Sequence, residues 1–129
     1  MIRVYIADDS LGFGTLAAAW LDGEPDIEVV GQAQTAAEAL SGVEAARPDV
    51  VVLDRLLPQP EHSEEVLAHV RRVLPQASVV LLSGMPDEDL ALAAREIGAD
   101  GHVSKAVDAT ALAAAVRRAA GARTGEPGT

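Results

Sequence analysis

Short runs of apolar residues alternate along the chain with longer stretches in which apolar positions recur every three to four residues. The short runs predict buried β-strands, and the longer stretches predict amphipathic helices between them. The predicted strands cover residues 2–7, 27–33, 50–53, 77–82 and 101–104. The predicted helices cover residues 11–22, 35–46, 64–74, 86–97 and 108–120. Five successive βα units predict an α/β fold, a doubly wound five-stranded parallel sheet in a three-layer sandwich.

Capping and turn residues support these boundaries. Thr35 and Glu38 have the spacing of a capping box at the start of the second helix. Three glycines are predicted to end helices: Gly23, Gly98 and Gly121. One domain is therefore expected over residues 1–121, and residues 122–129 are expected to form a linker or a disordered tail.

Two segments depart from this regular pattern. Gly12 and Gly14 fall inside the first helix, where each costs about 1 kcal/mol relative to alanine. Either that helix starts late, or its backbone packs closely on a neighbour. Pro58 and Pro60 predict a loop before the third helix.

Polar residues stand at the ends of four of the five predicted strands. In chain order these residues are Asp8 and Asp9, Asp54, Ser83 and Lys105. The carboxyl ends of parallel strands share one edge of the sheet, which is where ligands bind in open α/β folds. Carboxylates suit Mg²⁺ and form aspartyl-phosphates, while an ammonium and a hydroxyl stabilise phosphoryl oxygens. The ordered set predicts a phosphoryl-transfer site, although an acidic pair after one strand is more often a loop or a cap.

Composition narrows the function further. The chain has 129 residues, which suits one domain with a real core, and its net charge of −10 argues against direct DNA binding. Cysteines, a transmembrane run and a signal-peptide pattern are all missing from the sequence, so a cytoplasmic location is expected. Lys105 is the single lysine beside nine arginines, which favours a site that needs a compact ammonium over chance survival on the surface.

These residues give the chain a resemblance to a known family. Over residues 1–121 it resembles the receiver domain of two-component response regulators. Three stretches resemble the NarL/LuxR-type subfamily in particular: Pro25–Ala33, Arg47–Asp54 and Gly98–Lys105. Ala106 follows the lysine where many other receivers have proline, which also fits that subfamily.

The resemblance implies a chemical role for each residue at the strand ends. Asp54 would accept a phosphoryl group from a phosphohistidine of a sensor histidine kinase. Asp8 and Asp9 would bind Mg²⁺, together with Asp54 and the backbone carbonyl of Leu56. Lys105 would contact the phosphoryl group. Such a domain is not an enzyme toward other substrates; it catalyses its own phosphorylation and its own dephosphorylation.

Switching residues are implied in the same way. Ser83 would move toward the phosphoryl group, and His102 would change rotamer to report the event. The family usually has tyrosine or phenylalanine at the position of His102, so an ordinary exposed histidine is the competing interpretation. Pro58 stands at the family's proline position four residues after the acceptor. His62 is interpreted as a loop residue, and His69 as a solvent-facing helix residue.

The resemblance also implies an output. Phosphorylation would shift the population of one face of the domain, would allow a homodimer, and would control transcription through a C-terminal helix-turn-helix domain that is absent from this chain. No membrane partner is expected. Leu56 and Met85 flank the site with apolar side chains, so few groups would position a hydrolytic water, and self-dephosphorylation is expected to be slow.

Three other functions were compared with this interpretation. A phosphatase of the haloacid dehalogenase kind needs two acids two positions apart after the first strand, whereas Asp8 and Asp9 are adjacent. The stretch Gly12–Ala17 formally matches a dinucleotide-binding motif, but it lies behind an acidic pair that would repel a pyrophosphate. The remaining alternative is a phosphorylation-independent receiver that acts as a protein-interaction module, as the changed loop and His102 suggest.

Overall fold

The computed structural model describes residues 1–57, 59–106 and 108–123, and it confirms the five βα units. The strands are β1 (Ile2–Ala7), β2 (Ile27–Ala33), β3 (Val50–Asp54), β4 (Ser78–Ser83) and β5 (Gly101–Ser104). The helices are α1 (Leu11–Asp22), α2 (Ala36–Ala46), α3 (Pro60–Val73), α4 (Asp87–Ile97) and α5 (Ala109–Arg123). All strand pairs are parallel, and the order across the sheet is β2-β1-β3-β4-β5. This is the strand order of flavodoxin-like folds, including CheY.

Helices cover both faces of the sheet, so the central strands are buried. Side chains alternate along β1: Val4 and Ile6 pack toward α1 and α5, whereas Tyr5 and Ala7 pack toward α2 and α3. On the latter face α4 covers Leu81 of β4. All five residues of β3 are buried. This core holds the carboxyl ends of β1 and β3 side by side.

The third helix starts earlier than predicted. The helix begins at Pro60, so the loop prediction is wrong for residues 60–63. Proline suits the first position of a helix, because its missing N–H would have no partner there in any case. His62 therefore lies in the first turn of α3, with its N–H bonded to the Gln59 carbonyl at 3.1 Å, and not in a loop. The predicted role of Pro58 falls outside the described residues.

The last helix also exceeds its predicted end. α5 continues through Gly121 to Arg123, so the predicted stop at Gly121 is wrong. A glycine inside a helix costs only about 1 kcal/mol, which its alanine-rich surroundings offset. The domain boundary at 121 stays a prediction, and residues 124–129 of the predicted tail lie outside the described chain.

The structure decides between the two explanations of the glycines in α1. The helix starts at Leu11, so it does not start late. A Cβ at Gly14 would lie 2.7 Å from Nε2 of Gln32, whereas at Gly12 it would meet nothing within 4 Å. Gly14 therefore packs closely on the end of the Gln32 side chain, whereas Gly12 has no such neighbour.

The prediction that His69 faces solvent is wrong. Its side chain is only 13% exposed, because it packs between α2 and α3. The ring Nε2 lies 2.9 Å from Oε2 of Glu44, and Nδ1 lies 2.9 Å from a guanidinium nitrogen of Arg72.

Within the described ranges, none of the helices has the length and hydrophobicity needed to cross a membrane.

Candidate functional site

Three carboxylates meet at the carboxyl edge of the sheet. Asp8 directly follows β1 and Asp54 ends β3, and these two strands are neighbours in the centre of the sheet. Asp8 is 0% exposed and Asp54 is 4% exposed, whereas the adjacent Asp9 is exposed. One oxygen from each of the three side chains lies within 4.8 Å of the others. The structure thus forms the acidic pocket that the strand ends predict.

The donor atoms of this pocket fit a hard divalent cation. Asp8 Oδ1 accepts the Ser10 N–H at 2.8 Å, while the buried Asp8 Oδ2 lies 3.0 Å from the Lys105 ammonium without hydrogen-bond geometry. The exposed Asp9 would complete the set from the solvent side. Mg²⁺ takes oxygen ligands and keeps several waters, so three carboxylates at a solvent-accessible edge are sufficient protein ligands. The pocket can therefore bind a metal ion.

Lys105 places its ammonium group between the two buried acids. Its Nζ lies 3.2 Å from Oδ2 of Asp54 and 3.0 Å from Oδ2 of Asp8, with hydrogen-bond geometry toward Asp8 Oδ1 at 3.2 Å. The main-chain N–H of Lys105 donates to the Ser83 carbonyl at 2.8 Å, which ties the residue after β5 to the end of β4. The single lysine of the chain thus belongs to the site and is not a chance survivor on the surface.

Burial and charge shift the protonation of these groups. Burial, followed by the charge of Asp8, raises the pKa of Asp54 to about 7, while the Leu56 N–H and Lys105 oppose the rise. Burial alone would lower the pKa of Lys105, but its hydrogen bonds and the charges of Asp8 and Asp54 outweigh burial and raise it. Lys105 is therefore a fixed positive charge. The ionised form of Asp54, buried next to Asp8, is energetically unfavourable.

The other predicted residues lie around this cluster. Ser83 ends β4, one residue beyond the β4 residue that pairs with Asp54, and its hydroxyl accepts the Met85 N–H at 3.2 Å. Leu56 donates its N–H to Asp54 Oδ1 at 3.2 Å, and its side chain is 42% exposed. His102 is half-buried in the edge strand β5, paired with Leu81. The roles of these residues, and of the Leu56 carbonyl as a ligand, stay predictions.

Two neighbours of the site were missed at the level of sequence. Ser63 of α3 is 1% exposed and donates its hydroxyl to the main-chain carbonyl of Asp54 at 2.6 Å. The period that places Val66 and Val70 on the buried face of α3 also includes position 63, which is the signal that could have found it. The ring of Phe13 in α1 lies 5.1 Å from Lys105 Nζ. Only its rarity, as the one phenylalanine of the chain, marks it in the sequence.

The chain is similar in sequence to known proteins. Residues 4–117 match the family described as the response regulator receiver domain. The transcriptional activator DevR/DosR of Mycobacterium tuberculosis is 33% identical over 117 residues, which cover 91% of this chain and 54% of that protein. A protein-glutamate methylesterase/protein-glutamine glutaminase of Agrobacterium fabrum is 38% identical over 107 residues, covering 81% of this chain and 30% of that enzyme. The chain spans about half the length of the first and under a third of the second.

Solved structures of similar proteins have the same fold. A LuxR-family response regulator of Aurantimonas sp. SI85-9A1 has a TM-score of 0.83 and 28% identity, covering 95% of this chain and 87% of that one. The receiver domain of the response regulator NarL of Mycobacterium tuberculosis has a TM-score of 0.81 and 31% identity, covering 95% and 98%. A chain from the complex of the CheA3 P1 domain with CheY6 of R. sphaeroides has a TM-score of 0.80 and 31% identity, covering 92% and 95%.

The family match covers most of the chain. The methylesterase relative is similar to this chain over only the aligned part of its own length. The acidic pocket and the bridging lysine lie together at the carboxyl ends of the strands. The chain therefore belongs to the response regulator receiver domain family, with structural neighbours of the NarL/LuxR type.

Proposed function

We propose that the chain is a phosphoryl-accepting switch in which Asp54 receives a phosphoryl group from the phosphohistidine of a sensor histidine kinase. The observation that supports this most strongly is the position of Lys105 Nζ, which lies within 3.2 Å of a carboxylate oxygen of both Asp8 and Asp54. An ammonium beside a nucleophilic carboxylate stabilises the charge that develops on a transferring phosphoryl group.

The transfer requires an in-line attack by one Asp54 oxygen on phosphorus. The new O–P bond forms as the N–P bond breaks, and its electron pair returns to the ring nitrogen of the kinase histidine. Neutral imidazole is left when the phosphohistidine reacts in its ring-protonated form. Bound Mg²⁺, held by the carboxylates of Asp8, Asp9 and Asp54 with the Leu56 carbonyl, would neutralise charge on the phosphoryl oxygens. Lys105, 3.2 Å from Asp54 Oδ2, would add a second positive charge beside the acceptor carboxylate.

The proposal extends to switching. A phosphoryl group on Asp54 would draw the Ser83 hydroxyl away from the Met85 N–H, because charged oxygens are better hydrogen-bond partners. Ser83 is joined to β5 through the Lys105 N–H, so its movement would reach His102 on the edge strand. The consequence is a shift between two populations of this face of the domain, with no new fold.

The partners follow from the relatives. The similar structure that contains a CheA P1 domain supports a kinase or a phosphotransfer protein as the phosphoryl donor. The chain aligns with only 54% and 58% of the length of two relatives that are transcriptional regulators, which supports DNA control through an output domain outside it. A homodimer on phosphorylation and a cytoplasmic location belong to the same proposal.

Incubation with Mg²⁺ and acetyl phosphate, followed by intact mass measurement, tests the proposal. One phosphoryl adduct is expected on the parent protein and on Asp49→Asn, an exposed acid just before β3 at the opposite edge of the sheet. No adduct is expected on Asp54→Asn. Absence of an adduct on the parent, under conditions that label another receiver domain, would favour the phosphorylation-independent interaction module.

The lifetime of the phosphoryl group is expected to be long. The side chains of Leu56 and Met85, next to the site, offer no hydrogen bonds to an attacking water. Leu56→Asn combined with Met85→Glu should shorten the half-life about tenfold, equivalent to about 1.4 kcal/mol of barrier. The half-life is measured from the decay of the adduct mass in EDTA-quenched and Mg²⁺-containing samples. The matched control is Leu92→Asn, at an exposed leucine of α4. Rapid decay in the parent protein would refute slow self-dephosphorylation.

A further inference from the structure

We propose that Phe13 is a positioning residue that holds the Lys105 ammonium through a cation–π contact and so sets how well this ammonium serves phosphoryl transfer to Asp54. The ring centroid of Phe13 lies 5.1 Å from Lys105 Nζ, within the range of about 6 Å over which an aromatic face attracts a cation. The inference rests on the proposed function, because it assigns a supporting residue to the same site.

The backbone of α1 holds Phe13 in place. The helix is capped by Ser10, whose hydroxyl accepts the Phe13 N–H at 3.3 Å, and Ser10 itself donates its N–H to Asp8. Asp8 and the ring of Phe13 are thus fixed by one capped turn. Trp20, seven residues later on the same helix face, packs edge-on against the ring, with centroids 6.3 Å apart and planes at 88°. Both rings pack against the core between the sheet and α1.

An aromatic ring has a specific advantage at this position. Two of the directions around the ammonium are taken by Asp8 and Asp54, and the Lys105 side chain keeps 23% exposure. Another carboxylate beside the ammonium would add negative charge to a pocket that already has three acids. The face of a neutral ring attracts the ammonium without neutralising it and without a strongly directional bond. Lys105 can therefore be held against the site while its charge remains available to phosphoryl oxygens.

The competing explanation is that Phe13 only fills space in the core. The two explanations differ in their dependence on the electrons of the ring. Fluorine substitution withdraws negative potential from the ring face while nearly preserving its shape, so it weakens a cation–π contact but not packing. Phe13 is the one phenylalanine and Lys105 the one lysine of the chain, so global replacement or isotope labelling of either residue type reaches a single site.

The first measurement is the NMR signal of lysine labelled at Cε in the unphosphorylated protein. Its attached protons should be shifted upfield by the ring in the parent protein, and Phe13→Leu should abolish this shift. An unchanged signal in Phe13→Leu would overturn the proposal. This measurement needs no phosphorylation, so it separates failure of the contact from failure of the proposed function.

The second measurement is the rate of adduct formation with acetyl phosphate and Mg²⁺. Phe13→Leu and the protein containing trifluorinated phenylalanine should be slowed about three- to tenfold, while Phe13→Tyr should retain most of the parent rate. The fluorinated protein should keep a single cooperative urea unfolding transition, which shows that packing is intact. Equal rates for the parent and the fluorinated protein would overturn the proposal.

Discussion

Lys105→Met is expected to slow phosphoryl transfer to Asp54 by about 10²- to 10³-fold, the usual cost of removing one donor that stabilises developing charge. The ammonium lies 3.2 Å from Asp54 Oδ2, and methionine has similar length but no charge. The rate of adduct formation with acetyl phosphate and Mg²⁺, followed by intact mass, measures this effect.

Two further variants control for charge and for shape. Arg118→Met removes an exposed cation from α5 and should label at the parent rate. Lys105→Arg retains the charge, but a planar guanidinium cannot occupy the point between the two carboxylates, so this variant should also be slow. Labelling of Lys105→Met at the parent rate would contradict the role assigned to the lysine.

Asp54→Asn is expected to increase the free energy of unfolding at pH 8 without Mg²⁺ by on the order of 2 to 4 kcal/mol, from the linkage between pKa and stability. Burial and the neighbouring Asp8 raise the pKa of Asp54 from 3.8 to about 7, so the ionised carboxylate is unfavourable in the folded state. Asparagine has the same shape and cannot ionise. The residue proposed as the phosphoryl acceptor thus reduces the stability of the resting protein.

The pH dependence has a definite sign. The pKa of Asp54 is higher in the folded protein than in the unfolded chain, so the folded state binds more protons between about pH 4 and pH 7. The contribution of Asp54 to stability is present below about pH 4 and is lost as the pH rises to about 7. Urea unfolding of the parent and of Asp54→Asn across this range should show the two proteins diverging as the pH increases.

Addition of Mg²⁺ provides the control. A dication bound by Asp8, Asp9 and Asp54 should stabilise the parent and reduce its difference from Asp54→Asn, because a ligand that binds only the folded state shifts the unfolding equilibrium. Asp49→Asn should respond as the parent does. A parent protein that becomes more stable relative to Asp54→Asn as the pH rises in metal-free buffer would contradict the raised pKa.

The central elements could be predicted because their patterns are strong and local. β3 is an uninterrupted apolar run, as a strand covered on both faces must be, and its limits were predicted to within one residue. α3 was less predictable, because Pro60 is compatible both with a loop and with the first turn of a helix. Gly121 is a possible helix end by residue type, yet α5 continues through it. In the first case a proline was interpreted as requiring a loop, and in the second a glycine was interpreted as requiring a helix end.

Side-chain partners depended on packing that no local pattern contains. His69 is polar and was expected in solvent, but the packing of α2 on α3 places it between Glu44 and Arg72. Ser63 and Phe13 reach Asp54 and Lys105 only because α3 and α1 lie on opposite faces of one sheet. Helical period could place Ser63 on the buried face of α3, but it could not predict which groups Ser63 and Phe13 contact.

By itself, the order of residue types along the chain determined that acids, a hydroxyl and an ammonium stand at the ends of four of the five strands, because strand period and turn residues are local properties. Only the tertiary structure decided that Asp8 is buried while its neighbour Asp9 is exposed. It also decided that Lys105 bridges Asp8, 97 residues away in the chain, and Asp54. The physical reason is that parallel pairing brings the carboxyl ends of β1, β3 and β5 to one edge of the sheet. At that edge, burial and charge affect groups that are far apart in the sequence.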